Sequence, residues 1–302
     1  MSATSPKSLP VPLPTPFNAA LLALLGLMYT PVLWHWVDGW LNKSISIQHE
    51  YFSHGLLGIP FAAYLAWGNR DRWNELSPRL HWAGPVVLGI GLVFYLSRLA
   101  DWMNLSFPLV LIGLCLSLKG LPGLRLMGFP LVLIVLATPS QLPYLIEPYI
   151  LPLQHFIASV AGFILLQAGI DVTVDQIYLR VNDQMVEVAP HCAGLKMMFT
   201  SLYVGLMMIY WTGLGRSRLR TGLFISGIVG VSVVGNIIRN ALLSYFHGTS
   251  NTAAFDWLHE SWGGDVYSAL MLSLLIVLLR WIQTHIPERL DLHRADPPNA
   301  AL

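Results

Sequence analysis

Charge is scarce in this sequence. Of its 302 residues, 11% are Asp, Glu, Lys or Arg, less than half of the about 25% usual in soluble domains. That deficit excludes a cytosolic globular protein and a disordered chain, since both depend on solvated side chains. A surplus of one sign is missing too: the formal net charge of +1 provides no basic surface to hold nucleic acid. Cysteine is nearly absent, with only Cys115 and Cys192, too few for a disulfide framework. No His-Glu-x-x-His or Cys-x-x-Cys spacing occurs, so the motifs point to no metal centre and no cofactor. Internal repeats and a long soluble domain are lacking as well.

What the sequence has is apolar length. Hydrophobic residues make up 55% of it, and the mean hydropathy is +0.58. After a Pro-rich tail over 1–16, expected to be disordered, apolar runs recur at 17–36, 54–68, 83–99, 104–118, 126–138, 193–213, 221–242 and 264–283. A hydrocarbon core about 30 Å thick takes about 20 helical residues, so the shorter runs must borrow flanking residues. The first run lacks a small-residue cleavage site after it and reads as an uncleaved span. The expectation is an all-α polytopic protein of the cell (inner) membrane with about eight transmembrane helices. Its membrane domain covers 17–283, and 284–302 is a cytoplasmic tail.

Orientation follows from the basic residues. With both termini inside, twelve of the 17 Lys and Arg fall on the cytoplasmic side, among them Arg70, Arg72, Arg79 and the Arg-rich loop 214–220. Five, including Lys196 and Arg239, fall outside or at its border, the bias that sets topology. The run 148–169 is long enough to span, but counting it would put the Arg-rich loop outside. It is therefore expected to be interfacial or re-entrant, in keeping with its Gln154, His155 and Gln167. The stretch 171–191 differs in texture. Its alternating VTVDQIYLRV and MVEVA segments predict two short strands with a turn at Asn182–Asp183, a small β-hairpin-like extracytoplasmic cap.

Three reactive side chains are expected at the outer boundary. Cys192 opens the span that ends at the Arg-rich loop. Arg239 lies about 27 Å of helix beyond Thr221. His259 sits just before the last span. Cys, Arg and His at one depth form a nucleophile set. A thiolate is favoured at a helix N-terminus and beside a cation such as Arg239 or Lys196. An imidazole accepts the thiol proton and later protonates a leaving amine. A guanidinium, helped by backbone N–H groups near Gly194, steadies an oxyanion. Ordinary readings stand beside these: a snorkelling arginine, a satisfied interfacial histidine and a packed cysteine, the last being also the reading of Cys115.

The residues resemble a known family. The run Val186–Lys196 (VEVAPHCAGLK) is similar to the nucleophile motif of the exosortase/archaeosortase family. Asn236–Asn240 (NIIRN) resembles its arginine motif, and His259–Gly263 (HESWG) its His-x-x-x-Gly motif. Tyr51–Gly55 (YFSHG), Pro152–Gln154 and Ala168–Val172 resemble its upstream and middle regions. Ala193 stands where serine is common, and Lys196 where arginine is common. The resemblance covers about 50–280 and implies a membrane-embedded cysteine protease/transpeptidase. Carried over by position, Cys192 is the nucleophile, Arg239 the oxyanion or orienting group and His259 the acid/base. The implied substrates are membrane-anchored proteins ending in a Pro-Glu-Pro-like (PEP-CTERM-like) motif, a hydrophobic span and a basic tail. These are cut through an acyl-enzyme and passed to an acceptor, with membrane lipid as the surrounding partner.

Supporting residues are also in play. His54 can line a substrate groove or anchor at the interface. Glu187 can orient His259 or simply face solvent on the cap. Asn236, three residues from Arg239 on one helix face, can hold its guanidinium, and His191 is a weaker candidate base. The competing classes are a multi-spanning transporter and a subunit of an exopolysaccharide export or biosynthesis system. Polar groups gathered at one boundary, and not at mid-bilayer, argue against transport.

Overall fold

The computed structural model describes residues 16–42, 51–188, 194–259 and 261–287. Helix dominates because long runs of Leu, Ala, Met and Ile favour it, and because in lipid each backbone polar group must be bonded within its own segment. The helices are α1 (Pro16–Leu41), α2 (Gly55–Gly68), α3 (Arg70–Glu75), α4 (Ala83–Leu96), α5 (Ala100–Leu126), α6 (Gly128–Ala137), α7 (Leu142–Ile146) and α8 (Leu151–Gln167). After the strands come α9 (Leu195–Thr212), α10 (Arg218–Gly248), α11 (Thr252–His259) and α12 (Trp262–His285).

Their lengths are unequal. By length and apolar composition, α5, α10 and α12 can each cross a membrane, and α6 with Leu142–Tyr149, bent by 75°, makes a fourth if it counts as one span. The 14-residue α2 and α4 would reach across only with flanking residues. Large apolar side chains such as Leu27, Trp34, Val93 and Val277 are more than half exposed, the surface expected of a protein solvated by lipid. This is a membrane protein.

One expected pair of spans is redrawn. The runs at 104–118 and 126–138 differ in extent: the segment Ala100–Leu126 (α5) is two helical pieces joined at a kink where Gly120 takes φ 62°, ψ −154°. Pro122 lies just past the kink, and α6 is left with ten residues. Glycine tolerates that dihedral pair and a side chain does not, so the break is local and the helix resumes beyond it.

The cap also differs from the two-strand expectation. It is a three-stranded antiparallel sheet, β1 (Val172–Asp175), β2 (Tyr178–Val181) and β3 (Gln184–Glu187), in the order β1-β2-β3. The expected turn at Asn182–Asp183 is present, both residues having positive φ. That matches the right-handed strand twist of a two-residue hairpin. A second turn, at Gln176–Ile177 with Gln176 at φ 54°, splits the longer run. Alternation alone could not place it, because Asp-Gln is a weak turn signal beside Asn-Asp.

The sheet lies along α8 and the end of α10. Val174 and Leu179 meet Gly162 of α8, and Val181 meets Gly248 of α10. Asn182 Nδ2 donates to the Gly248 carbonyl at 3.1 Å, and Gln154 Nε2 donates to the Val188 carbonyl at 2.8 Å. Val188 N–H in turn donates to the Ile177 carbonyl. The chain leading toward Cys192 is therefore tied down as far as Val188. The main core cluster joins this cap to α1, with Trp36, Ile157, Ala161, Leu179 and Val188 all fully buried.

Candidate active site

The 31-residue α10 rises about 46 Å, more than the thickness of a hydrocarbon core, and its last third carries the polar face of the site. Asn236, Arg239 and Asn240 stand at i, i+3 and i+4, on one face. Asn236 and Asn240 are fully buried, and Asn240 Nδ2 donates to the Asn236 carbonyl at 2.9 Å. Among the described residues the Asn236 Nδ2 has no hydrogen-bond partner.

The start of α9 comes up against that amide. Gly194 caps α9 in the left-handed region, φ 81°, ψ 13°. A Cβ on it would lie 2.6 Å from Asn236 Cγ. Glycine is thus required here twice over, for the dihedral and for the close approach. Cys192 and His191 lie outside the described residues, as does the rest of 189–193. One residue separates Cys192 from Gly194 in sequence. Lys196 is half-buried in the first turn of α9.

From the other side come α11 and α12. Arg239 Nη2 donates to the Leu258 carbonyl at 3.5 Å, which brings the guanidinium beside the residue preceding His259. His259 ends α11 half-buried, its ring stacked on Phe255 at 5.1 Å and 16°. His247 of α10 packs on the other neighbour of that ladder, 5.1 Å from Phe255. The His-x-x-x-Gly spacing has a steric cause: a Cβ on Gly263 would lie 2.4 Å from Trp257 Cδ2 and 2.5 Å from its carbonyl. The chain can turn from α11 into α12 this tightly only with glycine at that point.

Arg239, Asn236 and His259 are therefore brought to one end of the bundle, with Gly194 against Asn236. Glu187 is exposed on β3, opposite Tyr178. His54 has its own set of partners. It is buried, its Nε2 lies 3.1 Å from the Leu136 carbonyl, and its ring is 4.3 Å from that of Tyr203, which ties α2 to α6 and α9. Sequence reasoning missed Tyr267, whose hydroxyl donates to the Gly235 carbonyl and locks α12 to α10 one turn from Arg239. It also missed the Leu258 carbonyl. The only signal for Tyr267 was a phenol inside an otherwise apolar run.

Residues 36–276 match the family model described as transmembrane exosortase (Exosortase_EpsH). The chain belongs to the transmembrane exosortase family. The match runs from Trp36 of α1 to Ile276 of α12 and so takes in Asn236, Arg239 and His259. No curated protein and no solved structure matches this exosortase.

Proposed function

We propose that this exosortase is a membrane cysteine protease/transpeptidase that cleaves the C-terminal sorting signal of exported proteins. The Cys192 thiolate attacks the carbonyl carbon of the scissile peptide bond, forming the S–C bond and a tetrahedral oxyanion. Arg239 and the Asn236 amide are the donors to that oxyanion. His259 takes the thiol proton and returns it to the leaving amine as the C–N bond breaks. The acyl-enzyme then passes its acyl group to an amine acceptor or to water.

The observation that supports this reading best is the meeting of three chain segments at one end of the bundle. Arg239 touches Leu258, the neighbour of His259, while Gly194, two residues past Cys192, presses on Asn236 three residues before Arg239. A cysteine protease needs its nucleophile, base and oxyanion donors from separate elements at one point.

In the proposed topology this end faces away from the cytoplasm, both termini lie inside, and the membrane domain spans 17–283 in eight crossings. The shorter helices then cross with their flanking residues. The helix α8 lies at the outer interface and carries the cap over 171–191. Gln154 and Gly162, about 12 Å apart along α8, both touch the sheet region, which suits a helix lying alongside the cap. A substrate's own span would then enter beside the enzyme and present its Pro-Glu-Pro-like motif at the site.

The test is a cleavage assay in membranes. Wild type and Cys192→Ala are co-expressed with a reporter ending in a Pro-Glu-Pro motif, a hydrophobic span and a basic tail. Processing by wild type and none by the variant is the expected result. Equal processing by both would remove Cys192 from the mechanism.

A further inference from the structure

The opposite end of the bundle holds a groove that the proposed reaction does not use. On α12, Gly264 lies at the site end, and Arg280 follows sixteen residues later, about 24 Å away along the axis. There the C-terminus of α12 is clasped by Arg220, so the groove lies beside the Arg-rich segment at 216–220. One wall is the α9 face formed by Val204, Met207, Met208 and Trp211, spaced i, i+3, i+4 and i+7. The other is the α12 face of Ile276, Arg280 and Gln283.

The space between these walls is about 520 Å³, within the range of about 300–1,000 Å³ typical of ligand pockets. The walls are apolar and methionine-rich, adaptable to a flexible chain. Among the described residues, Arg280 is the one charged residue on them; it is exposed, has no ion pair or hydrogen bond from its guanidinium, and no acidic residue lines the groove to balance it. Trp211, with Phe61 and Tyr64 at 5.6 Å and 6.0 Å, places an aromatic cluster at the rim, as residues at headgroup level do.

We propose that this groove binds one anionic phospholipid, its acyl chains along Met207, Met208 and Ile276 and its phosphate on Arg280. Basic pockets between membrane helices recognise headgroups by this combination of charge and apolar wall. The site stands independently of the reaction proposed above.

Native mass spectrometry of the full chain in a neutral detergent tests it, with phosphatidylglycerol, phosphatidylcholine of the same chains, or glycerol phosphate added. Phosphatidylglycerol should saturate at one tightly held molecule. It should bind about fivefold better than phosphatidylcholine, the worth of one basic residue at an anionic surface, and glycerol phosphate should not compete. Arg280→Gln should abolish the preference between the two lipids, and Met208→Trp, which fills the groove, should remove the tight adduct for both. Arg216→Gln, outside the groove, should leave the preference intact. Thermal melts of the variants confirm that they remain folded. A preference that survives Arg280→Gln, an adduct that survives Met208→Trp, a preference lost in Arg216→Gln instead, or equal competition by glycerol phosphate would each overturn the proposal.

Discussion

Arg220 and Arg239 lie on the same helix, about five turns apart, and are held in opposite ways. Arg220, at the first turn of α10, gives its guanidinium to the carbonyls of Gln283 and Ile286, at distances from 2.7 to 3.5 Å. It caps the end of α12, where carbonyls have no helical partner. Arg239, near the other end, makes one hydrogen bond among the described residues, a long one of 3.5 Å to Leu258. Among the described residues the same side chain is fully used on structure at one end and lightly engaged at the other, where it is half-buried.

Substitutions can break or sharpen that contrast. The largest effects belong to the site. His259→Ala should lower turnover by about 10²–10⁴-fold. Wild-type turnover should rise with pH as the imidazole loses its proton, and that rise should vanish in the variant. An unchanged profile would take His259 out of the base role. Arg239→Ala should cost about 10²–10³-fold in turnover while the melting temperature in detergent stays near wild type. A fall in melting temperature as large as the one at Arg220 would make the two arginines equivalent and remove the contrast.

Arg220→Ala should do the reverse. Stability should drop by about 1.5–3 kcal/mol, as for hydrogen bonds to a charged group, read as a lower melting temperature with turnover per folded molecule unchanged. Gly194→Ala should cost about 1–2 kcal/mol for the left-handed backbone, with a further steric part against Asn236. In a double-mutant cycle, Asn236→Ala should relieve only that steric part, giving a coupling of about 0.5–3 kcal/mol. Additive effects would mean that the two residues are not in contact. Smallest of all, Tyr267→Phe should lose about 1 kcal/mol of stability, with turnover changed only a few-fold through Arg239.

Much of this was legible from residue order. Apolar runs gave the helices because a helix is the cheapest way to hide backbone in lipid. Asn182–Asp183 gave its turn because both residues tolerate positive φ. Asn236 and Arg239 were placed on one face by helical spacing alone. The third strand was not legible, since Asp175–Gln176 carries a weak turn signal. Nor was the short helical piece that follows the kink at Gly120. The partners of His54, Leu136 and Tyr203, were not legible either, because they come from helices far along the chain.

The sequence by itself determined that this chain lives in lipid and where most of its helices run. Those properties depend on local composition and on a repeat of 3.6 residues. Only the tertiary structure decided that Gly194 must press on Asn236, that Gly263 must turn beneath Trp257 and that Arg239 reaches Leu258. Each of those is a distance between segments that no spacing encodes. They are fixed by close packing, in which a single methyl group at Gly194 or Gly263 would have no room.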